Sequence, residues 1–257
     1  IGKTDLTDNE MKHLVYIVVF ITSFGFAQSG FEKGNVFYQK GQYEQAIQAY
    51  ESVLDSHQQS AELYFNLGNC YYKLHQVAPS IYNYEKALVL APDDVDITNN
   101  LKFAHKLTID EVKDVPKVGF VKLLRDFTGM YHFNTWAWIS VVFGFLFLGF
   151  FIGYYFSPTT LYKRIFFIGM FVWIVLLLVS LGAAIFEKNH FINERPAIVF
   201  AEVTEVKSEP QKASPATFIL HEGTKVFVEE TLGKWKKIEL TDGTEGWIEN
   251  EAIREVK

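Results

Sequence analysis

Metal or nucleophilic chemistry in this chain would have to begin from seven histidines and one cysteine. His13, His57, His75, His105, His132, His190 and His221 are scattered singly, and none stands in a paired ligand spacing such as HExxH. Cys70 is the only cysteine, so there is no thiolate metal set and no disulfide framework. Among neighbouring aromatic residues it reads as a buried, inert thiol. The sequence contains no GxxxxGK[ST] phosphate cradle, no GxSxG elbow and no nucleophile beside a base. The expectation is a protein that is not an enzyme and needs no cofactor or metal. The net charge of −6, with acids exceeding bases in both polar flanks, argues against nucleic acid as a partner.

Shifting the first flank against itself by 34 residues pairs Gly34 with Gly68, Phe31 with Phe65, Asn35 with Asn69, Phe37 with Tyr71, Tyr38 with Tyr72 and Tyr50 with Tyr84. Each copy places a glycine where two helices would approach closely and aromatic residues on the facing sides. A break follows near Gly41 or His75, and Pro92 ends the second copy. These residues resemble the tetratricopeptide repeat, carried by Tyr64, Leu67, Gly68, Tyr71, Tyr84, Ala87 and Pro92 in one copy and by Gly34, Phe37, Ala46 and Tyr50 in the other. Ser80 departs from the pattern's alanine, and no proline closes the first copy. A third helix, about Asp96 to Leu107, has Lys102 in place of the glycine and is expected to cap a short stack with a shallow groove. The resemblance implies a concave face that grips extended peptides, on which Asn35, Tyr38, Gln39, Asn69, Tyr72 and Lys73 fall. Asparagine amides can bond a peptide backbone, and tyrosine rings add amphipathic contact area. The same surface could instead be a duplicated repeat face without a ligand, or dock another part of the chain. Phe31 and Phe65 stand where carboxylate-clamping relatives carry lysine, so recognition of a free C-terminus is not expected.

The middle of the chain must position both flanks. Trp136 to Phe156 and Ile165 to Phe186 contain no charged residue and are joined by a polar, basic link, Ser157 to Arg164. At about 1.5 Å per residue, each run is long enough for a hydrocarbon core of roughly 30 Å. Neither run holds an ionisable side chain, which removes the usual signature of an ion or proton pathway. Gly149 and Gly153 form a GxxxG that suggests close helix packing. Upstream, Met11 followed by Lys12, His13, the apolar run Leu14 to Phe26 and the small-residue pattern Gly25-Phe26-Ala27 predicts a signal peptide cleaved before Gln28. Export would place the chain after Gln28 outside the cytoplasm, and Lys163 with Arg164 would mark the inner link. Between the repeats and the first span, Gly119 to Tyr131 places apolar residues opposite Lys122, Arg125 and Asp126. That pattern predicts an amphipathic helix at the bilayer surface, or one packed on the repeats.

Beyond Arg195-Pro196 the pattern alternates, predicting strands at Ile198–Val203, Phe218–Leu220, Lys225–Glu230, Trp235–Leu240 and Glu245–Ile248. Turn signals lie between them, Asp242-Gly243 being the strongest. The order Val206 to Pro210, His221 to Thr224, Gly233-Lys234-Trp235, Asp242-Gly243, Gly246-Trp247-Ile248 and Ala252-Ile253 resembles the bacterial SH3-like domain, a small barrel. There Trp235 and Trp247 are characteristic, and the resemblance implies a peptide or cell-wall ligand face. Their alternative role is in the core and in barrel closure.

The fold class expected is a multidomain membrane protein: an all-α tetratricopeptide repeat domain, a transmembrane α-hairpin and a small all-β SH3-like barrel. The boundaries are upstream residues 1–10, signal peptide 11–27, repeats 28–107, linker and interfacial helix 108–135, hairpin 136–186 and SH3-like domain 187–257. This domain order resembles the BatE family of the Bat aerotolerance operon. The resemblance implies, as partners, membrane-anchored von Willebrand factor A-domain Bat proteins and a MoxR-type ATPase, beside the lipid bilayer itself. It leads to the expectation of an inner-membrane, two-pass scaffold with both domains periplasmic. The alternative is an envelope sensor whose SH3-like domain holds peptidoglycan peptides.

Overall fold

A computed structural model of the chain describes residues 30–110 and 119–257. The expected upstream residues, the signal peptide and the middle of the linker lie outside the described residues.

The first flank is a stack of antiparallel helices: α1 (residues 30–39), α2 (Tyr43–Asp55), α3 (Ala61–Lys73), α4 (Val77–Leu90) and α5 (Val95–His105). The turns after α1 and α3 repeat each other. Gly41 (φ +73°) and His75 (φ +58°) take the left-handed conformation at equivalent positions, where the chain must reverse within a few residues. Ser60 caps α3 by accepting from the Leu63 amide, and Asp94 caps α5 by accepting from Asp96 and Ile97. The two repeat glycines are contact points. A Cβ on Gly34 would lie 2.3 Å from the Tyr50 ring, and one on Gly68 2.6 Å from the Tyr84 ring. The departure at Ser80 is compensated: its side chain is fully buried, and its hydroxyl donates to the Gly68 carbonyl at 3.0 Å, so no polar group is stranded.

The middle of the chain consists of α6 (Phe120–Thr128), α7 (Phe133–Phe156) and α8 (Thr160–Asn193). Helices α7 and α8, of 24 and 34 residues, are long and apolar enough to cross a membrane, and only 6% of each apolar window is buried. The link between them is shorter than expected. Only residues 157–159 are non-helical, because α8 starts at Thr160 and takes Lys163 and Arg164 into its first turns. The seam between the two helices also differs from the GxxxG reading. Gly153 lies against Phe166 and Gly169 against Phe150, whereas a Cβ on Gly149 would meet nothing within 4 Å. A hydroxyl pair, Ser140 Oγ to Ser180 Oγ at 2.9 Å, bridges the apolar surfaces. Helix α6 packs against α8, and Trp136 Nε1 donates to the Thr128 carbonyl at 2.7 Å. Helix α8 continues past Phe186 to Asn193, so the approach to the last domain is helical, with only Glu194 and Arg195 intervening.

The last domain is one antiparallel sheet of seven strands: β1 (Pro196–Val199), β2 (Val203–Lys207), β3 (Ala216–His221), β4 (Lys225–Leu232), β5 (Trp235–Glu239), β6 (Glu245–Glu249) and β7 (Ile253–Glu255). Their order is β3-β2-β6-β5-β4-β1-β7. Five strands were expected; residues 200–202 break the first of them into β1 and β2, and β7 is added. All seven strands contribute to a single apolar core that includes Val206, Leu220, Val226, Ile238, Ile248 and Ile253, so the sheet wraps around it.

Strand β1 is buried on both faces. With side chains alternating, Ala197 and Val199 enter the sheet's core, while Ile198 joins the helical core together with Val256. The two flanks therefore share a wall. The contact between α4 and β1 places both flanks at the same end of the α7–α8 hairpin.

Candidate functional site

Helices α1, α3 and α5 each present the same face, and where those faces meet they form a recess of about 160 Å³. Tyr38, Asn69, Tyr72 and Lys73 line it, together with Tyr84, Asn100 and Phe103. Four of the six residues that the repeat resemblance indicates are thus brought together. Gln39 is exposed outside the recess, and Asn35, one turn before Tyr38 on α1, does not line it.

The asparagines have less freedom than their position suggests. Asn69 Oδ1 accepts from the Tyr84 hydroxyl at 2.7 Å and from Asn100 Nδ2 at 2.9 Å. One repeat earlier, Asn35 Oδ1 accepts from the Tyr50 hydroxyl at 2.6 Å and from Asn66 Nδ2 at 3.2 Å. The same triad therefore recurs at the repeat spacing. It ties the first helix of a repeat to its second helix and to the next first helix, and it occupies the amide oxygens. What each asparagine can still offer a ligand is its Nδ2 donor. Burial pushes the Tyr50 and Tyr84 hydroxyls up from their ordinary pKa, so both remain neutral donors within the triad.

Asn100 and Phe103 of α5 were not singled out from the sequence. The 34-residue spacing would have found them, since it carries Asn66 onto Asn100 and Asn69 onto Phe103. Besides ending the stack, α5 supplies one wall of the recess. Lys106 Nζ sits 5.0 Å from the centre of the Phe103 ring. Phe31 and Phe65 pack on Tyr50 and Tyr84, with ring centres 5.7 and 5.9 Å apart. Cys70 is fully buried, and burial pushes its thiol up to about 12, which makes it a poor nucleophile.

The two tryptophans stand on neighbouring strands. Trp235 pairs with Glu249, and Trp247 with Lys237. By alternation both therefore project from the face opposite Ile238 and Ile248, outside the sheet's core. Trp235 is buried there and Trp247 half-buried.

A third cluster joins the flanks. Asp110, just after α5, accepts from the His221 amide (2.7 Å) and Thr224 Oγ1 (2.6 Å) through Oδ2, and its Oδ1 lies 2.7 Å from His221 Nδ1. Burial pushes the Asp110 carboxyl up, but the hydrogen bonds from Thr224 and His221 outweigh it and leave the group below its ordinary value. Lys225 Nζ bonds both oxygens of the buried Glu85 carboxylate at 2.8 and 2.9 Å. Tyr82 meets the Phe200 ring edge-on, and the Arg254 guanidinium lies 4.1 Å over that ring. Gly223, in the β3–β4 turn with φ +85°, is pressed so closely on α4 that an added Cβ would lie 2.8 Å from Val77.

Comparison with known families matches residues 34–75 to the TPR repeat and residues 61–94 to the tetratricopeptide repeat. Residues 204–255 match the bacterial SH3 domain. Tetratricopeptide repeats and a bacterial SH3 domain flank the hairpin. No curated protein matches the chain. The tetratricopeptide match stops before α5 and the SH3 match starts after β1, so the wall of the recess and the shared strand both lie outside the matched families' spans.

Proposed function

We propose that this chain is a membrane-anchored scaffold whose tetratricopeptide recess holds an extended segment of a partner protein. The observation that carries this reading is the recess itself, where aromatic rings, a lysine and an amide donor converge on a hollow the size of one side chain. Both matched domain types are suited to binding proteins or cell-wall peptides rather than to catalysis. The basic residues at the start of α8, Lys163 and Arg164, support a cytoplasmic link and hence periplasmic domains. The Met11–Ala27 segment, read as an export signal, supports the same side. The domain order favours partners of the Bat type, membrane-anchored von Willebrand factor A-domain proteins working with a MoxR-type ATPase.

A photo-crosslinking residue at Tyr72 in native membranes, with a control at Asp55, exposed at the end of α2, tests the reading. Adducts from Tyr72 alone that contain a von Willebrand factor A-domain protein are expected. Equal labelling from both positions would refute the recess as the contact. A reporter fused beside Thr159 should behave as cytoplasmic and one after Lys257 as periplasmic.

Trp247, half-buried on the outer face of the sheet beside the buried Trp235, favours a second reading, a sensor of peptidoglycan peptides. Co-sedimentation of the full chain with purified peptidoglycan, lost in Trp247→Ala, would put that reading ahead.

A further inference from the structure

Within the peptide-binding reading, on which this inference rests, the recess has a definite polarity. The Asn69 oxygen is taken up by Tyr84 and Asn100, so Asn69 faces a ligand only as a donor. Tyr38 and Tyr72 bring hydroxyls and Lys73 an ammonium group, while no carboxylate is among the lining residues. Lys73 is exposed at the last turn of α3 and, among the described residues, makes no ion pair. On α5, the C-cap Lys106 lies over the Phe103 ring that lines the recess. Among the nearby acids, Asp94 is occupied as the α5 cap, and Asp96 and Glu62, on the stripes of Asn100 and Asn69, do not line the recess. A recess lined by donors and one lysine, with no carboxylate in the lining, is complementary to an anion. A volume of about 160 Å³ is that of a cavity that takes about one benzene-sized group. That is room for one side chain and too little for a helix.

We propose that the recess takes the carboxylate of a single acidic side chain within an extended peptide, with Lys73 as its charged partner and Asn69 Nδ2 as a neutral donor beside it. Tyr38, Tyr72 and Phe103 hold the aliphatic stem of that side chain. A free peptide C-terminus offers the same chemistry, but Phe31 and Phe65, packed at a tilt on the repeat tyrosines, leave that end of the groove apolar.

The test uses the full chain in lipid nanodiscs and fluorescein-labelled, C-terminally amidated peptides of sequence Ser-Ala-Leu-X-Leu-Ala-Ser, read by anisotropy. With X as Glu, binding should be about tenfold tighter than with X as Gln, the worth of one charge-assisted hydrogen bond, and Lys at X should bind weakest. In Lys73→Gln the Glu and Gln peptides should differ by no more than about twofold, with an unchanged melting temperature because Lys73 is exposed. A Gln peptide with a free C-terminus forms the fourth arm, expected to match its amidated form. Equal binding of the Glu and Gln peptides to the parent overturns the acid preference while leaving the groove intact. So does a preference that survives Lys73→Gln, or one that follows the free terminus. If no peptide binds and Tyr72 yields no adduct, the groove reading falls as well.

Discussion

Replacing Asp110 with alanine removes one carboxylate that accepts hydrogen bonds from His221 at the end of β3 and Thr224 in the turn after it, and the effect can be sized from the junction. Three contacts are lost, at 2.6 to 2.7 Å. A hydrogen bond to a charged group contributes about 1.5–3 kcal/mol, but the three share one acceptor group and do not add. The Asp110 side chain is 16% exposed, so water can reach part of the vacated site, whereas Thr224 is 4% exposed and loses its acceptor outright. The expected cost is about 3 kcal/mol, which for a folding unit of this size lowers the melting temperature by roughly 6–12 °C. Asp110→Asn keeps a carbonyl oxygen for Thr224 and the His221 amide and should cost about 1 kcal/mol. The assay is thermal unfolding of the full chain in detergent, with hydrogen exchange at β1 as the local readout. The pH dependence has a fixed sign. Because the folded Asp110 pKa is depressed, its contribution is present above the unfolded value near 3.9 and is lost as pH falls through the folded value. The asparagine variant should lack that part of the acid limb. An alanine variant that melts within about 1 °C of the parent, with β1 exchange unchanged, would refute the claim that this carboxylate seats the sheet on the helices.

Two further outcomes follow from buried groups. Lys225→Met strands the Glu85 carboxylate, which is 9% exposed, and should cost about 2–3 kcal/mol, less than a fully buried pair because Lys225 is 31% exposed. Glu85→Leu with Lys225→Met should recover most of that loss in the same melts, whereas a double variant no better than the single would show that the pair is not the source. Cys70 should resist thiol reagents at pH 8 in the folded chain and react once the repeats are unfolded, since burial holds its thiol up to about 12; labelling rates on either side of the melting temperature check this.

The repeats were legible because their contacts recur in the sequence. A glycine needs an aromatic ring at a fixed distance along the chain, so Gly34 with Tyr50 and Gly68 with Tyr84 reveal themselves by spacing alone. The hairpin was legible because both of its helices are apolar on every side, the pattern a membrane span would need. The junction was not. Asp110 sits in a charged stretch that reads as a linker, and nothing local says that its partners lie more than a hundred residues away. Glu85 and Lys225 are ordinary surface types until the fold buries one of them. Strand β1 hid a clear signal: Ala197-Ile198-Val199-Phe200 is a continuous apolar run where an exposed-face strand would alternate, and such a run marks burial on both sides. In the recess, the spacing that located Asn69 and Tyr72 also pointed to Asn100 and Phe103. Commitment of the asparagine oxygens to tyrosine could not be read without knowing that the hydroxyls reach them.

The shared wall at β1 also has a consequence for biogenesis. The face of α4 that receives Ile198 is complete when Leu90 has been made, yet β1 is roughly a hundred residues further along, beyond the two long apolar helices. At ~5–20 residues per second of synthesis, the interval is on the order of ten seconds. Throughout it the repeats stand with an uncovered apolar surface, so the newborn chain presents a chaperone-binding or self-associating face that the finished protein does not have. Truncation anywhere between α5 and β1 would make that transient state permanent.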